Sequence, residues 1–157
     1  MSAGVGTGET CWPEVLADIT DFRVVNLAQA GATVEKAIVQ AQGITEIHSL
    51  VIVEIGGNDL LGNISANVFH HQLELLVSSL CTDGHQVLMV ELPLFPFKNA
   101  YGRAQRCVVD KYNVSMLPKR YFAKVLGTQG GLLDGLHLSQ EGHNAMAKIM
   151  ADVINKK

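Results

Sequence analysis

Asp134 and His137 have the spacing of a catalytic carboxylate and the histidine that it orients. They lie in the stretch LDGLHLSQEGH, just ahead of a predicted helix. A carboxylate that accepts a hydrogen bond from one imidazole N–H fixes the tautomer, so the other nitrogen is free to take a proton from a hydroxyl. An Asp-x-x-His arises easily by chance in a chain with six histidines. The pair therefore predicts a hydrolase only if oxyanion donors and a nucleophile can be found elsewhere.

Two glycine-containing turns could supply oxyanion donors. Gly56-Gly57-Asn58-Asp59 follows an apolar run, and the amide of Asn58 could donate to an oxygen on which negative charge develops. Gly31, within NLAQAGAT, could lend a backbone N–H to the same oxygen. Taken singly, Gly56–Asp59 is explained better as an ordinary turn, because these residue types favour turns. Gly31 by itself is explained better as a glycine that relieves crowding before the helix capped by Thr33.

Apolar runs that alternate with helical patterns must position these turns. Buried strands are predicted at Leu50–Ile55 and Val87–Leu92, with a third strand at Phe22–Leu27. A first helix is predicted at Trp12–Asp18, and a second begins after Thr33 as N-cap and ends near Gly43. A third helix is predicted from an apolar stripe of four residues: Phe69, Leu73, Leu76 and Leu80. A fourth begins after Ser139 as N-cap. This alternation predicts one α/β domain over residues 1–157, a doubly wound parallel sheet flanked by helices. Ligands of such sheets bind beyond the carboxyl ends of the strands, where these turns lie.

Composition excludes several classes of function. The chain has 157 residues and a formal net charge of −3, so no basic field for nucleic acid or anionic membrane is expected. The three cysteines lack CxxC spacing, and no metal-binding motif or cofactor is predicted. No run reaches the roughly 20 apolar residues of a transmembrane helix, and the N-terminus lacks the regions of a signal peptide. The glycines at Gly4, Gly6 and Gly8 lack the strand and the Gly-Lys-Ser/Thr of a phosphate loop, which also argues against a dinucleotide-binding domain.

Considered together and in order, the motifs resemble those of the SGNH, or GDSL-type, ester hydrolases. The glycine of the second family block falls on Gly31, the GxND block on Gly56–Asp59, and the DxxH block on Asp134 and His137. The branch of small acyl-ester hydrolases with thioesterase and lysophospholipase activities is the most similar. The resemblance implies a flavodoxin-like sheet with strand order 2-1-3-4-5. It also implies His137 as general base, Asp134 as its orienting partner, and Gly31 with Asn58 as oxyanion donors.

The nucleophile block of the family is the one departure from this pattern. Its Gly-Asp-Ser-Leu serine is expected one place before Met1, with the first strand also upstream, and Ser2 is a poor substitute on a frayed terminus. The resemblance thus predicts a gap between the Phe22–Leu27 and Leu50–Ile55 strands. Either these strands close up, or another subunit fills the gap as a homo-oligomer or by strand exchange.

The resemblance predicts hydrolysis of small carboxylic esters, with thioesters or lysophospholipids as further substrates. Phe95, Phe97 and Tyr101 are predicted to form an acyl-binding wall, although a crossover that simply buries aromatic side chains explains them equally well. The alternative function is a non-catalytic module or pseudoenzyme that binds an acyl or glycan ligand without turnover.

Overall fold

The computed structural model describes residues 10–93, 99–128, 130–133 and 137–156. Along these residues helices and strands alternate through most of the chain. Their order is α1 (Trp12–Ile19), α2 (Val34–Ala41), β1 (Leu50–Val53), α3 (Gly57–Leu61), α4 (Ala66–Thr82), β2 (Gln86–Val90), α5 (Asn99–Tyr112), β3 (Ser115–Leu117), α6 (Lys119–Leu126) and α7 (Gln140–Ile154).

The chain divides into two compact units, residues 31–119 and residues 1–30 with 120–157. The single domain predicted over residues 1–157 stays a prediction. No helix in the described ranges is both long and apolar enough to cross a bilayer.

The sheet of the unit formed by residues 31–119 is parallel, in the order β1-β2-β3. Leu50 pairs with Gln86 and Leu88 pairs with Ser115, so each strand is joined to the next by a crossover that contains a helix. This is the α/β architecture that the alternating pattern predicts. The predicted strands at Leu50–Ile55 and Val87–Leu92 are both present, slightly shorter at their carboxyl ends.

Helix α4 supplies much of the core of this unit. Its predicted stripe is confirmed, because Phe69, Leu73, Leu76 and Leu80 are all buried. Burial of side chains of this size stabilises a fold by roughly 1.5–3 kcal/mol each. The stripe packs with Val87 and Met89 of β2, which fixes α4 against the sheet and so places the turns at its two ends.

The strand predicted at Phe22–Leu27 is wrong, because this segment is irregular and belongs to no strand. Three of its four apolar side chains, those of Phe22, Val25 and Leu27, are exposed rather than buried, with Val25 54% accessible. A β-branched run becomes a strand only when another strand accepts its backbone hydrogen bonds, which local sequence cannot specify. Strand β1 is likewise less buried than predicted: it lies at one edge of the described sheet, and only Val53 is fully buried.

The other unit contains α1, predicted at Trp12–Asp18, and α7. Both helices form where the sequence places them, and the hydroxyl of Ser139 caps α7 by accepting from Gly142 N–H at 3.1 Å. The backbone N–H of Trp12 donates to Nδ1 of the buried His143 at 3.1 Å. This bond holds the start of α1 against α7.

Candidate active site

The turn that follows β1 begins at a glycine that no other residue could replace without strain. Gly56 has φ +111°, and a Cβ at this position would lie 2.7 Å from the ring of Phe69. The turn leads directly into α3, with Gly56 as its N-cap. This abrupt change from strand to helix leaves Asn58 exposed and buries Asp59 completely.

The predicted oxyanion donors Asn58 and Gly31 are brought to neighbouring positions. Nδ2 of Asn58 donates to the carbonyl oxygen of Ala32 at 2.9 Å, and Ala32 directly follows Gly31. An amide nitrogen carries two protons, so one remains to donate elsewhere. Gly31 is exposed, has φ +70°, and has no atom within 4 Å of an added Cβ. This bond brings two segments that are far apart in the sequence side by side.

Asp59 is a further residue of this turn, and sequence reasoning assigned it no role. Its two carboxylate oxygens each lie 3.2 Å from the backbone nitrogen of Val34, the first residue of α2. Thr33 occupies the N-cap position as predicted, but its side chain makes no capping bond. The carboxylate of Asp59 therefore takes the place of the local cap, and its charge favours the positive end of the helix.

Burial raises the pKa of Asp59, while hydrogen bonds from the backbone N–H groups of Val34 and of Asp59 itself oppose that rise. Asp59 in turn helps raise the pKa of Tyr101, after burial of the phenol, which places the two side chains in one electrostatic environment. The signal in the sequence was the aspartate of GGND, but turn chemistry alone accounts for an aspartate at such a position.

The carboxyl end of β2 carries a second buried carboxylate. Glu91 is 3% exposed, and Oε1 accepts from both Nε and Nη2 of Arg106 at 2.9 and 2.7 Å. Its other oxygen accepts from the backbone N–H of Lys119 at 2.9 Å. Burial raises the pKa of Glu91, but the bonds from Lys119 and Arg106 outweigh that effect and lower it. These bonds tie the end of β2 to α5 and to the first residue of α6.

His137 lies in the other unit, in a segment that folds back on itself. Leu132 and Leu138 form an antiparallel bridge, the N–H of Leu133 donates to the carbonyl of His137 at 2.9 Å, and the side chain of His137 is half-buried. Gly142 in α7 allows the close approach of this segment, because a Cβ there would lie 2.2 Å from the carbonyl oxygen of Gly131. These backbone contacts fix the position of the His137 backbone.

The remaining predicted site residues fall into two groups. Tyr101 is buried in α5, donates its hydroxyl to the carbonyl of Ile64, and packs on Phe69 with ring centroids 4.8 Å apart. This burial agrees with the aromatic-burying alternative, and its role in acyl binding stays a prediction. Asp134, Phe95, Phe97 and Ser2 lie outside the described residues.

Among the residues that the structure describes, no three His, Cys, Asp or Glu side chains cluster in a way that could hold a metal ion.

The parallel sheet with helical crossovers places the chain in the α/β class. Comparison with known proteins narrows this class to a family. The profile of the GDSL-like Lipase/Acylhydrolase family matches residues 1–145, so the chain belongs to this family.

Three similar proteins illustrate the relationship. Esterase TesA from Pseudomonas aeruginosa is 25% identical over 74% of this chain and 62% of its own length. An arylesterase from Vibrio mimicus is 22% identical over 94% of this chain and 80% of its own. The crystal structure of TesA has the same fold, with a TM-score of 0.85 and 22% identity over 99% of this chain and 93% of that one. The chain thus spans less than two thirds of the curated TesA sequence.

Proposed function

We propose that this chain is an acyl hydrolase that cleaves small carboxylic esters through a serine ester. Thioesters and lysophospholipids are further candidate substrates. The roles follow the predicted site: His137 is the general base, Asp134 orients it, and Gly31 and Asn58 donate to the oxyanion. The family resemblance implies a serine as the nucleophile that these groups serve.

The reaction proceeds as two successive acyl transfers, first to the serine and then to water. His137 takes the serine proton as the serine oxygen bonds to the ester carbonyl carbon, and the resulting oxyanion accepts from Gly31 N–H and Asn58 Nδ2. The carbon–oxygen bond to the alcohol then breaks, and the alcohol leaves with the proton from His137. Water repeats the sequence on the acyl-serine and releases the carboxylic acid.

The observation that carries this proposal is the contact between Asn58 and Ala32. It fixes the side-chain amide of Asn58 beside Gly31 through one of its protons, which leaves the other proton for a substrate oxygen. Oxyanion donors act by being fixed before the charge develops, so an amide anchored in this way is suited to the role. Membership of the family supports the assignment of the chemistry as ester hydrolysis.

A fluorophosphonate probe tests the proposal, because it labels only an activated serine. The 157-residue chain, and a second form in which an apolar strand and a Gly-Asp-Ser sequence are added before Met1, are each incubated with the probe and assayed with p-nitrophenyl butyrate. We expect labelling and hydrolysis in the form that contains the nucleophile, and loss of both in its His137→Ala variant. His71→Ala is the matched control, since His71 is exposed on α4.

The alternative of a binding module without turnover makes a different prediction. Neither form would be labelled, neither would release p-nitrophenol, and both would still bind a short-chain carboxylate in calorimetry. That combination would overturn the assignment as a hydrolase.

A further inference from the structure

We infer that Asp59 is a positioning residue for the oxyanion donors, setting the geometry of Gly31 and Asn58 by tying the loop of residues 31–34 to the turn after β1. This inference rests on the proposed function for its catalytic consequence. The structural claim, that one carboxylate holds both donor segments in place, stands on contacts alone.

Two adjacent residues hold the same loop at two points. Asn58 bonds the carbonyl of Ala32, and Asp59 bonds the N–H of Val34, only two residues further along. The loop is therefore held at two points by the same turn, through Asn58 as donor and Asp59 as acceptor. Gly31 lies immediately before these two points, so the direction of its N–H depends on both bonds.

The two bonds differ in how easily water could replace them. Asn58 is exposed, and a single neutral bond to a carbonyl competes directly with water. Asp59 is fully buried, and its bond to Val34 has a charged acceptor, which makes it the stronger of the two. The buried contact is thus the one that fixes the loop, and the exposed contact then aligns the side chain of Asn58.

The backbone around Asp59 is itself held firmly. The carbonyl of Asp59 accepts from Ile64 N–H at 3.0 Å, and the carbonyl of Ile64 accepts from the hydroxyl of Tyr101. The carboxylate is thereby anchored to α5 as well as to the turn. No local cap competes for the start of α2, since the Thr33 side chain makes no capping bond.

Hydrogen exchange and NMR test the structural claim without any need for catalysis. In the ¹⁵N-labelled chain we compare the wild type with Asp59→Ala and Asp59→Asn. The control is Ser65→Ala, which removes the side-chain acceptor for Val68 N–H at the start of α4. We expect Asp59→Ala to speed hydrogen exchange of the Val34 backbone amide by about tenfold or more. The NMR signals of the Gly31 backbone amide and of the Asn58 side-chain amide should also shift. Asp59→Asn keeps one acceptor oxygen and should give intermediate values, whereas Ser65→Ala should leave all three signals unchanged.

Kinetics of the active form test the catalytic consequence. Asp59→Ala should lower kcat by roughly tenfold or more and leave KM within about twofold, because misplaced donors weaken transition-state binding more than ground-state binding. Asp59→Asn should restore part of kcat. Ser65→Ala should leave kcat unchanged at temperatures below its melting point.

Two results would overturn the inference. If Val34 exchange quickens while Gly31 and Asn58 keep their wild-type signals, Asp59 is only the cap of α2. If kcat and stability fall together to the same extent in Asp59→Ala and Ser65→Ala, the effect is general destabilisation. A chain that shows the expected exchange pattern but hydrolyses no ester would contradict the proposed function and leave the structural claim intact. Should Asp59→Ala fail to fold, Asp59→Asn provides the same comparison.

Discussion

Asn58 and Ala32 are joined by a hydrogen bond of 2.9 Å between a side-chain amide and a backbone carbonyl. The bond links the turn after β1 to the loop that contains Gly31. In a family that hydrolyses esters, these are the two segments to which the sequence assigns oxyanion donors. The effects expected of substitutions at Asn58 and Gly31 follow from this bond.

Asn58→Ala should lower kcat for p-nitrophenyl butyrate by about 10²–10³, the usual cost of losing one oxyanion donor. The fold should survive, because Asn58 is exposed. Gly31→Ala is the informative comparison, since it keeps the N–H and an added Cβ meets nothing within 4 Å. Its only cost is the positive φ, so a smaller loss of kcat is expected. Equal losses in the two variants would argue against a direct role for the Asn58 amide.

Gly56→Ala should destabilise the protein by about 2–4 kcal/mol, from the positive φ and from overpacking against Phe69 and Leu92. Gly57→Ala is the matched control, since a Cβ at Gly57 meets nothing within 4 Å. The measurement is urea unfolding followed by circular dichroism. A Gly56 variant as stable as the Gly57 variant would show that the turn can relax around the new methyl group.

The lowered pKa of Glu91 predicts that the folded protein loses stability in acid. Its pKa is lowered in the folded protein, so its contribution is fully present above the unfolded pKa and is lost as the pH falls through the folded value. Glu91→Gln keeps an acceptor for Lys119 but loses the ion pair with Arg106, and should cost about 1–3 kcal/mol at pH 7.

The same variant tests the pH dependence. Urea midpoints at pH 7 and in acid should converge for wild type and Glu91→Gln as the pH falls. If the difference in urea midpoint between the two proteins stays the same at every pH, the loss of stability comes from packing rather than from the charge of Glu91.

His143→Phe should weaken the anchoring of α1, because it keeps an aromatic ring at this position but removes the acceptor for Trp12 N–H. We expect a loss of about 1–3 kcal/mol, the usual cost of removing one partner of a buried hydrogen bond. Trp12 is the one tryptophan of the chain, so its fluorescence reports this region directly. Lys148→Ala, at an exposed position of α7, is the control. An unchanged fluorescence midpoint in His143→Phe would show that packing alone holds α1.

Local sequence determined the elements that depend on local physics. Periodic apolar residues fixed α4, a serine fixed the start of α7, and β-branched runs fixed β1 and β2, because each of these signals acts within a few residues. The motif order also identified Gly31 and Asn58 as candidate donors. Their proximity could not be derived from spacing, since it depends on how the loops fold together.

Tertiary structure decided the features that depend on distant partners. Phe22–Leu27 has strand composition but forms no strand, because a strand needs neighbouring backbone groups that no local pattern supplies. Thr33 is a residue type that commonly caps helices, yet the N–H of Val34 at the start of α2 donates to the carboxylate of Asp59 instead. A hydrogen bond between residues far apart in the chain is chosen by packing, and packing is the property that a sequence pattern does not contain.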